Sequence, residues 1–397
     1  MKGLVARIWT AAIKGKGRGW SAGALMLGLV LVPFSWLYGV VMRVNRARRN
    51  RMKPWTGTTP VVLVGNLTVG GTGKTPLVAF IAARLLAAGL KPAVLSRGYG
   101  GTAGPEPRAA GDGSGGAGDP GETGDEPALL ARSLPPGIPV MVGTDRPRAA
   151  SIAVERFGAR SLVLDDSFQQ RARFPAGLKI VTLNAAEPFG NGRLFPAGTL
   201  REEPEVLAEA DAVVLTHSDE VSEAELERLK GRVSALAPQA LLAVAAHRLG
   251  GLENPDGTVA YSALWARGRR LLALSAIGYP EGFERMLVRA GATVTVSVRR
   301  EDHHRWGDRE VLRAGEEAAA ERCDVIVTTA KDAVRLPKVR LAVPLLVARL
   351  DFAFISGGEE LAALVVGRAG APGPGRASAG RNPAGRNPAG RNPAGRG

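Results

Sequence analysis

Between Gly65 and Thr75 the chain reads Gly65-Asn66-Leu67-Thr68-Val69-Gly70-Gly71-Thr72-Gly73-Lys74-Thr75. These are the residue types a phosphate-gripping loop needs. Glycines let successive backbone N–H groups turn toward phosphate oxygens, and the positive end of a following helix adds to their pull. In such a loop the lysine reaches the β- and γ-phosphates and the hydroxyl ligates Mg²⁺, roles that fall here to Lys74 and Thr75. The phosphates would lie along Thr68, Val69, Gly70, Gly71, Thr72 and Gly73. Thr68 stands where the strict pattern has glycine, and Gly70 and Gly71 supply the flexibility it lacks.

Other residue types suit the same chemistry. Asp165 and Asp166 end the apolar run Ser161-Leu162-Val163-Leu164, as does the second magnesium-holding acid of phosphate-loop enzymes. The alternative is an acidic strand end in solvent. Asp125 and Glu126 open a helix after a glycine-rich stretch, where an acid pair complements the helix dipole or takes a proton from a hydroxyl. His303 and His304 precede another helix. Adjacent side chains point apart, so one at most is catalytic, and exposed loop histidines are the plainer alternative. His217 and His247 read as structural or surface residues, and Cys323 as small core filling. No His-Glu-x-x-His string, nucleophile elbow or cysteine pair is present, which argues against zinc and serine hydrolases.

The frame for these residues follows from the pattern. Strands are expected at 60–64, 92–95, 139–142, 161–164, 178–182 and 212–216. Helices are expected at 73–88, 126–133, 146–157 and 222–236. Continuous apolar strands alternating with amphipathic helices indicate a doubly wound, mainly parallel α/β sheet of the P-loop NTPase kind. A second α/β stretch has strands near 271–275, 293–297 and 325–328. The expected organisation is an anchor with a basic flank (1–53), a P-loop core (54–245), a smaller α/β domain (246–366) and a disordered tail (367–397). The tail repeats Gly-Arg-Asn-Pro-Ala and has no apolar face.

Composition narrows the class. The 397 residues are 45% hydrophobic and 22% charged, which excludes a wholly disordered chain and a polytopic membrane protein. One cysteine excludes an internal disulfide framework and fits a reducing compartment. The net charge of +15 lies at the ends: 54–366 holds 35 basic and 37 acidic residues. A folded part without a basic excess argues against nucleic acid as partner. Residues 20–42 carry no charge and are long enough, at about 1.5 Å per residue, to cross a bilayer core of roughly 30 Å or to lie in its interface. Trp20, Trp36 and Tyr38 suit interfacial positions, and Pro33 would kink a span. Basic residues on both sides leave the orientation open; the lone cysteine and the phosphate loop favour a cytoplasmic catalytic side.

Taken together, these strings resemble the tetraacyldisaccharide 4′-kinase family of lipid A synthesis. The resemblance rests on the phosphate loop with Pro76, Ser96-Arg97-Gly98-Tyr99-Gly100, Gly124-Asp125-Glu126-Pro127 and Asp165-Asp166-Ser167-Phe168-Gln169. Further along it rests on Pro188-Phe189-Gly190-Asn191-Gly192, Pro196-Ala197-Gly198 with Leu200-Arg201-Glu202, Asp302-His303-His304, and Lys331-Asp332-Ala333-Val334-Arg335-Leu336. It implies a membrane-anchored kinase that uses ATP and Mg²⁺ to phosphorylate the 4′-hydroxyl of a tetraacyldisaccharide 1-phosphate, giving lipid IVA at the cytoplasmic face of the bacterial inner membrane. No obligate protein partner is implied. Asp125 would be the base and His303 its supporting partner. Lys74 would act on the transferred phosphate, and Thr75, Asp165, Asp166 and Glu202 would be candidates for the metal shell. Arg97, Tyr99, Gln169 and Arg201 would touch nucleotide or substrate phosphate. Basic residues 43–53 would sit beside anionic head groups and the acceptor's own phosphate. Ser167 and Gln170 depart from the family's Gly and His. A membrane-tethered nucleotide switch or ATPase is the alternative, distinguished by turnover without lipid.

Overall fold

The computed structural model describes residues 22–98, 106–114, 118, 120–302 and 304–370. Tyr99, His303, most of the glycine-rich stretch before Pro120, and residues 371–397 of the expected tail lie outside the described residues.

Strand β1 (Val61–Asn66) is buried along its whole length. Its side chains alternate between the two faces: Val62 and Val64 join the core under α2 (Lys74–Ala87), while Val61 and Leu63 join the core under α4 (Arg146–Phe157). A strand buried on both faces must be apolar wherever its side chains have no polar partner, and this one is apolar through Val64, ending in Gly65 and the hydrogen-bonded Asn66. Around it run β2 (Pro92–Ser96), β3 (Arg108–Gly111), α3 (Asp125–Ser133), β4 (Val140–Val142), β5 (Ser161–Leu164), β6 (Leu178–Asn184), β7 (Ala212–Thr216) and α5 (Glu223–Leu236). Helix α5 begins with a capping box between Ser222 and Glu225, and α4 ends at Gly158 in the left-handed region.

The second α/β stretch continues the same sheet. It contributes β8 (Leu241–Glu253), β9 (Val259–Ser262), β10 (Arg270–Ser275), α6 (Pro280–Arg289), β11 (Thr293–Arg299), α7 (Asp308–Ala320), β12 (Val325–Thr329), β13 (Leu345–Ser356) and α8 (Gly358–Gly370). The order is β11-β10-β12-β13-β8-β7-β6-β1-β5-β2-β4-β3, with β9 on β8. Pairing is parallel except at β3–β4, β8–β9 and β8–β13, so the sheet is mixed and mostly parallel. The two long strands β8 and β13 join the halves, and position 245 falls inside β8. Strand β1 lies between β5 and β6, from which the chain winds in opposite directions. Its carboxyl end therefore opens on the crevice where α/β sheets bind ligands.

Helix α1 (Ala22–Arg51) forms, and among the described residues no helix is long and apolar enough to cross a membrane, so the expected membrane-crossing helix is left without support. One face of α1 docks on the core. Ser35 donates to the Leu194 carbonyl at 2.8 Å, Tyr38 meets Phe195 edge-on at 5.6 Å, and Arg43 pairs with Glu203 at 2.9 Å.

The turn after β5 packs so closely on β1 that a Cβ at Gly65 would lie 2.6 Å from Phe168 Cβ and 2.7 Å from its backbone N. Backbone cannot step aside as a flexible side chain does. Gly65→Ala is therefore expected to destabilise the protein by about 1–3 kcal/mol, read as a lowered thermal midpoint.

Candidate active site

The phosphate loop is held from beneath by small polar side chains. Buried Asn66 donates to the Thr68 carbonyl at 2.6 Å and to Thr72 Oγ1 at 3.0 Å. Thr72 Oγ1 lies 2.9 Å from Thr182 Oγ1, and Thr216 donates to the Thr72 carbonyl at 3.1 Å. Val69 N donates to the Thr199 carbonyl at 2.8 Å, and Thr68 forms an isolated bridge with Leu200. That bridge accounts for Thr68 in place of glycine, since the backbone there runs as a strand edge and needs no left-handed turn. Gly70 and Gly73 do, with φ of 114° and 72°. At Gly73 a Cβ would also lie 2.8 Å from His247 and 3.1 Å from Thr216. Lys74 and Thr75 follow in the first turn of α2, where backbone N–H groups have no partner within the helix.

His217 and His247 form the wall behind Gly73, rings 4.0 Å apart. Sequence leaves both as structural or surface residues; in the structure His247 is buried and His217 half-buried. Burial, with Arg289 and Arg285 nearby, pushes His217 down to about 3, and burial beside His217 keeps His247 well below the usual imidazole range. Both are neutral at physiological pH.

Beyond the loop, Lys74 Nζ stands 3.5 Å from Asp166 Oδ1, and Arg201 Nη1 lies 2.9 and 3.1 Å from the two Asp166 oxygens. Burial raises the Asp166 carboxyl, but Lys74 and Arg201 outweigh it and hold the group below the usual carboxylate range. Asp166 sits at φ 47°, a left-handed position that aspartate tolerates better than most residues. Asp165 is 1% exposed. Ser96 donates to its Oδ2 at 3.4 Å, and its Oδ1 has no hydrogen-bond partner. Burial and the nearby Glu126 charge push it up to about 7, against Lys74. Arg146, itself buried, donates to the Asp165 carbonyl at 2.9 Å and to the Gly143 carbonyl at 3.2 Å.

A buried carboxylate oxygen without a donor, beside a lysine and a helix N-terminus, fits a divalent cation that also touches nucleotide phosphates. Asp165 and the Thr75 hydroxyl are the residues that would hold it. Among the described residues no group of three or more His, Cys, Asp or Glu forms a protein-only cage. Such an ion would take its remaining ligands from phosphate and water, as Mg²⁺ commonly does.

Asp125 and Glu126 lie in the first turn of α3, after Gly124 at φ 91°. The second half of the sheet reaches them. Arg335 Nη1 is 3.5 Å from Asp125 Oδ2, and Lys331 Nζ is 3.4 Å from Glu126 and 3.1 Å from Asp302. Fully buried Asp332 organises this edge. It accepts from Ala276 N at 3.0 Å, Thr329 Oγ1 at 2.7 Å, Trp306 Nε1 at 3.3 Å and Arg335 Nη2 at 2.8 Å. A Cβ on Gly278 would lie 3.3 Å from Asp302 and 3.4 Å from Gly71 N, so the segment before His303 closes over the phosphate loop.

Lys74, Asp165, Asp166 and Arg201 thus gather at one crevice, and Glu126, next to Asp125, is near enough for its charge to raise Asp165. Arg97, exposed at the end of β2, lies near enough for its charge to lower Arg146. Gln169 and Glu202 take up structural partners: Gln169 Nε2 donates to the Asn66 carbonyl at 3.1 Å, and both Glu202 oxygens bind Arg171, at 3.2 and 2.8 Å. Sequence reasoning gave no role to Arg146, Arg335 or Asp332. The signal available was the Lys331–Leu336 string, whose buried acid and base pair three residues apart.

The raised Asp165 carboxyl carries a stability consequence. An acid pushed up from about 3.8 to about 7 on folding contributes stability that is intact below pH 4 and lost as pH rises through 7. In protein free of nucleotide and metal, Asp165→Asn should match wild type in thermal midpoint at pH 4. It should exceed wild type increasingly toward pH 8, by a few kcal/mol at most. Circular-dichroism melts across that range provide the measurement.

Three comparisons bear on this geometry. The family model described as tetraacyldisaccharide-1-P 4′-kinase matches residues 27–367. A tetraacyldisaccharide 4′-kinase of Anaeromyxobacter dehalogenans (strain 2CP-C) is 44% identical over 317 residues, 77% of this chain and 80% of that protein. One from Geobacter sulfurreducens is 39% identical over 318 residues, 79% and 86% of the two chains. The crystal structure of "apo" form LpxK from Aquifex aeolicus in complex with ATP superimposes with a TM-score of 0.65 at 25% identity, covering 86% of this chain and 99% of that one. A phosphate loop in the switch-point crevice, faced by paired carboxylates, is what such a kinase requires, and the chain belongs to the tetraacyldisaccharide-1-P 4′-kinase family.

Proposed function

We propose that the protein is an ATP-dependent lipid kinase that phosphorylates the 4′-hydroxyl of a tetraacylated glucosamine disaccharide 1-phosphate. The observation that supports this reading is that the acids opening α3 reach the phosphate-loop crevice: the Glu126 charge acts on Asp165, beside Lys74, and Arg335 from the far half of the sheet stands 3.5 Å from Asp125. Phosphoryl transfer needs alignment and charge neutralisation more than covalent chemistry. The backbone N–H groups of 70–75 and Lys74 bind the triphosphate, with Arg201 next to Lys74 to meet charge on the transferred group. Asp125 accepts the proton of the 4′-hydroxyl as its oxygen bonds to the γ-phosphorus. The bond from that phosphorus to the β-γ bridging oxygen breaks, and ADP leaves. A bound Mg²⁺ supplies further neutralisation of phosphate charge. His303, the supporting partner in the family resemblance, lies outside the described residues.

The acceptor's acyl chains place the reaction at a membrane, and α1 supports that reading. Val30, Phe34, Leu37, Val41 and Val44 recur at intervals of four and three residues and are all exposed, Phe34 at 57% and Val44 at 61%. The docked residues Leu31, Ser35, Tyr38, Met42 and Asn45 follow each of them by one position. One helix thus presents a core-facing stripe and, about 100° around, an apolar stripe suited to lying in a bilayer interface. The arginines after it suit anionic head groups. This arrangement fits a monotopic enzyme on the cytoplasmic face of a bacterial inner membrane.

Mass spectrometry of lipid product after incubation with ATP, Mg²⁺ and the disaccharide 1-phosphate tests the activity; ATP turnover independent of acceptor would refute it. Asp125→Ala is expected to lower turnover by roughly two to four orders of magnitude. Arg335→Met should lower kcat by about 10²-fold while leaving the KM for ATP nearly constant, because it misplaces the base and not the phosphate loop. Arg335→Lys should recover part of that loss.

A further inference from the structure

Lys331 stands where three segments remote in sequence meet. Its ammonium lies 3.4 Å from Glu126 Oε1, in the first turn of α3, and 3.1 Å from Asp302 Oδ1, in the segment that follows β11. The side chain is 18% exposed, so the ammonium is set into the wall of the crevice. It is also held at its root. Lys331 belongs to the short helical turn Ala330–Ala333, which Thr329 caps by accepting from Asp332 N at 3.1 Å. Arg335 Nε donates to the Lys331 carbonyl at 3.3 Å, and the neighbouring Asp332 is the buried acid that anchors this edge.

The two carboxylates lead in opposite directions. Glu126 follows Asp125, the proposed base, on the same helical turn. Asp302 leads to the phosphate loop: its Oδ2 lies 3.3 Å from where a Cβ on Gly278 would stand, and that position is 3.4 Å from Gly71 N. A side chain at 278 would press on both, so glycine there lets Asp302 come close to the loop. Lys331 thus completes a strut from the base to the loop, through Glu126, the ammonium, Asp302 and the Gly278 backbone.

Charge makes the ammonium necessary to that strut. Both carboxylates lie against one nitrogen, and without it they would repel each other across the mouth of the crevice and push α3 away from the loop. Stability does not account for the arrangement. Glu126 and Asp302 are 33% and 39% exposed on their side chains, and ion pairs open to solvent add little to folding free energy. Placement does account for it. A misplacement of about 1 Å between reacting groups lowers the rate on the order of 10²-fold.

Resting on the kinase reading above, we infer that Lys331 is a positioning residue for phosphoryl transfer, a strut that fixes the distance between Asp125 and the phosphate loop. Arg335 sets Asp125 directly, whereas Lys331 sets the turn that carries it relative to the site of the triphosphate. The ammonium does this without touching nucleotide or acceptor.

Steady-state kinetics with ATP, Mg²⁺ and the disaccharide 1-phosphate in detergent micelles test this, alongside ATP affinity by titration calorimetry and the thermal midpoint. Lys331→Met should lower kcat by about 10- to 100-fold with ATP affinity within about twofold of wild type. Its thermal midpoint should stay within about 3 °C, because the core is untouched. Lys331→Arg, whose charged fork still reaches two carboxylates, should recover most of the lost rate. Joining Lys331→Met to Arg335→Met should add no more than about threefold to the worse single loss, since both losses come from one misplaced base. Should Lys331→Met not fold, Lys331→Gln carries the same expectations. Wild-type kcat in the lysine variant would overturn the inference. So would a loss confined to ATP affinity, which makes the lysine a nucleotide ligand, or a rate that falls only as the folded fraction falls. Losses that multiply in full in the double variant would place the action of Lys331 away from Asp125 and overturn it too. Wild type that yields no phosphorylated lipid would end the kinase reading itself, whereas active wild type with an equally active Lys331→Met ends this inference alone.

Discussion

Lys74 stands beside the two carboxylates that end β5, and the whole crevice is arranged around the electrostatic balance this creates. Asp166 is kept ionised by Lys74 and Arg201, whereas Asp165, one residue earlier, is buried and drawn toward its protonated form. Opposite environments on adjacent residues follow from the strand end. Asp165 still points into the sheet, and Asp166, at a left-handed φ, turns out toward the lysine. A triphosphate at the loop would bring negative charge to Lys74, and a divalent cation bound with it would be held by the Asp165 oxygen.

The sheet supplies the proposed base, Asp125, from one half and a partner that fixes it, Arg335, from the other. Strands β8 and β13 are long enough to bind both halves, which lets Asp332 and Arg335 be anchored in the second core while reaching Asp125 in the first. Asp332 accepts four hydrogen bonds with no exposure to solvent, so Arg335 has little freedom. Buried ion pairs add little stability, but they hold geometry well when every lone pair is satisfied. In a reaction that depends on alignment, that rigidity is what matters.

Helix α1 meets two environments at once. Its docking stripe uses small and polar residues, Ser35 and Gly39, which permit close approach to Leu194, and its apolar stripe faces outward. The same helix thus fixes the catalytic crevice relative to any surface it lies on. Its arginines hold it there, Arg43 and Arg46 pairing with the core at Glu203 and Glu209, and Arg49 donating to the Gln169 carbonyl.

Much of this was legible in the chain itself. The phosphate loop, the paired acids, the strands at 161–164 and 212–216 and the helix at 146–157 could be placed because each depends on local pattern: apolar continuity, caps and glycine. Other elements left no such mark. Strand β8 is rich in alanine, a helix former, and β13 mixes charge with apolar residues, so neither reads as a strand until its partner is known. The sequence alone determined the chemistry on offer, because phosphate binding and proton transfer require particular residue types at particular spacings. Only the tertiary structure decided which residues are free to perform it. Glu202 went to Arg171 and Gln169 to Asn66, Arg335 came to Asp125 from more than two hundred positions away, and α1 proved to dock along the core. Those outcomes turn on distances between residues remote in sequence, which no local pattern encodes.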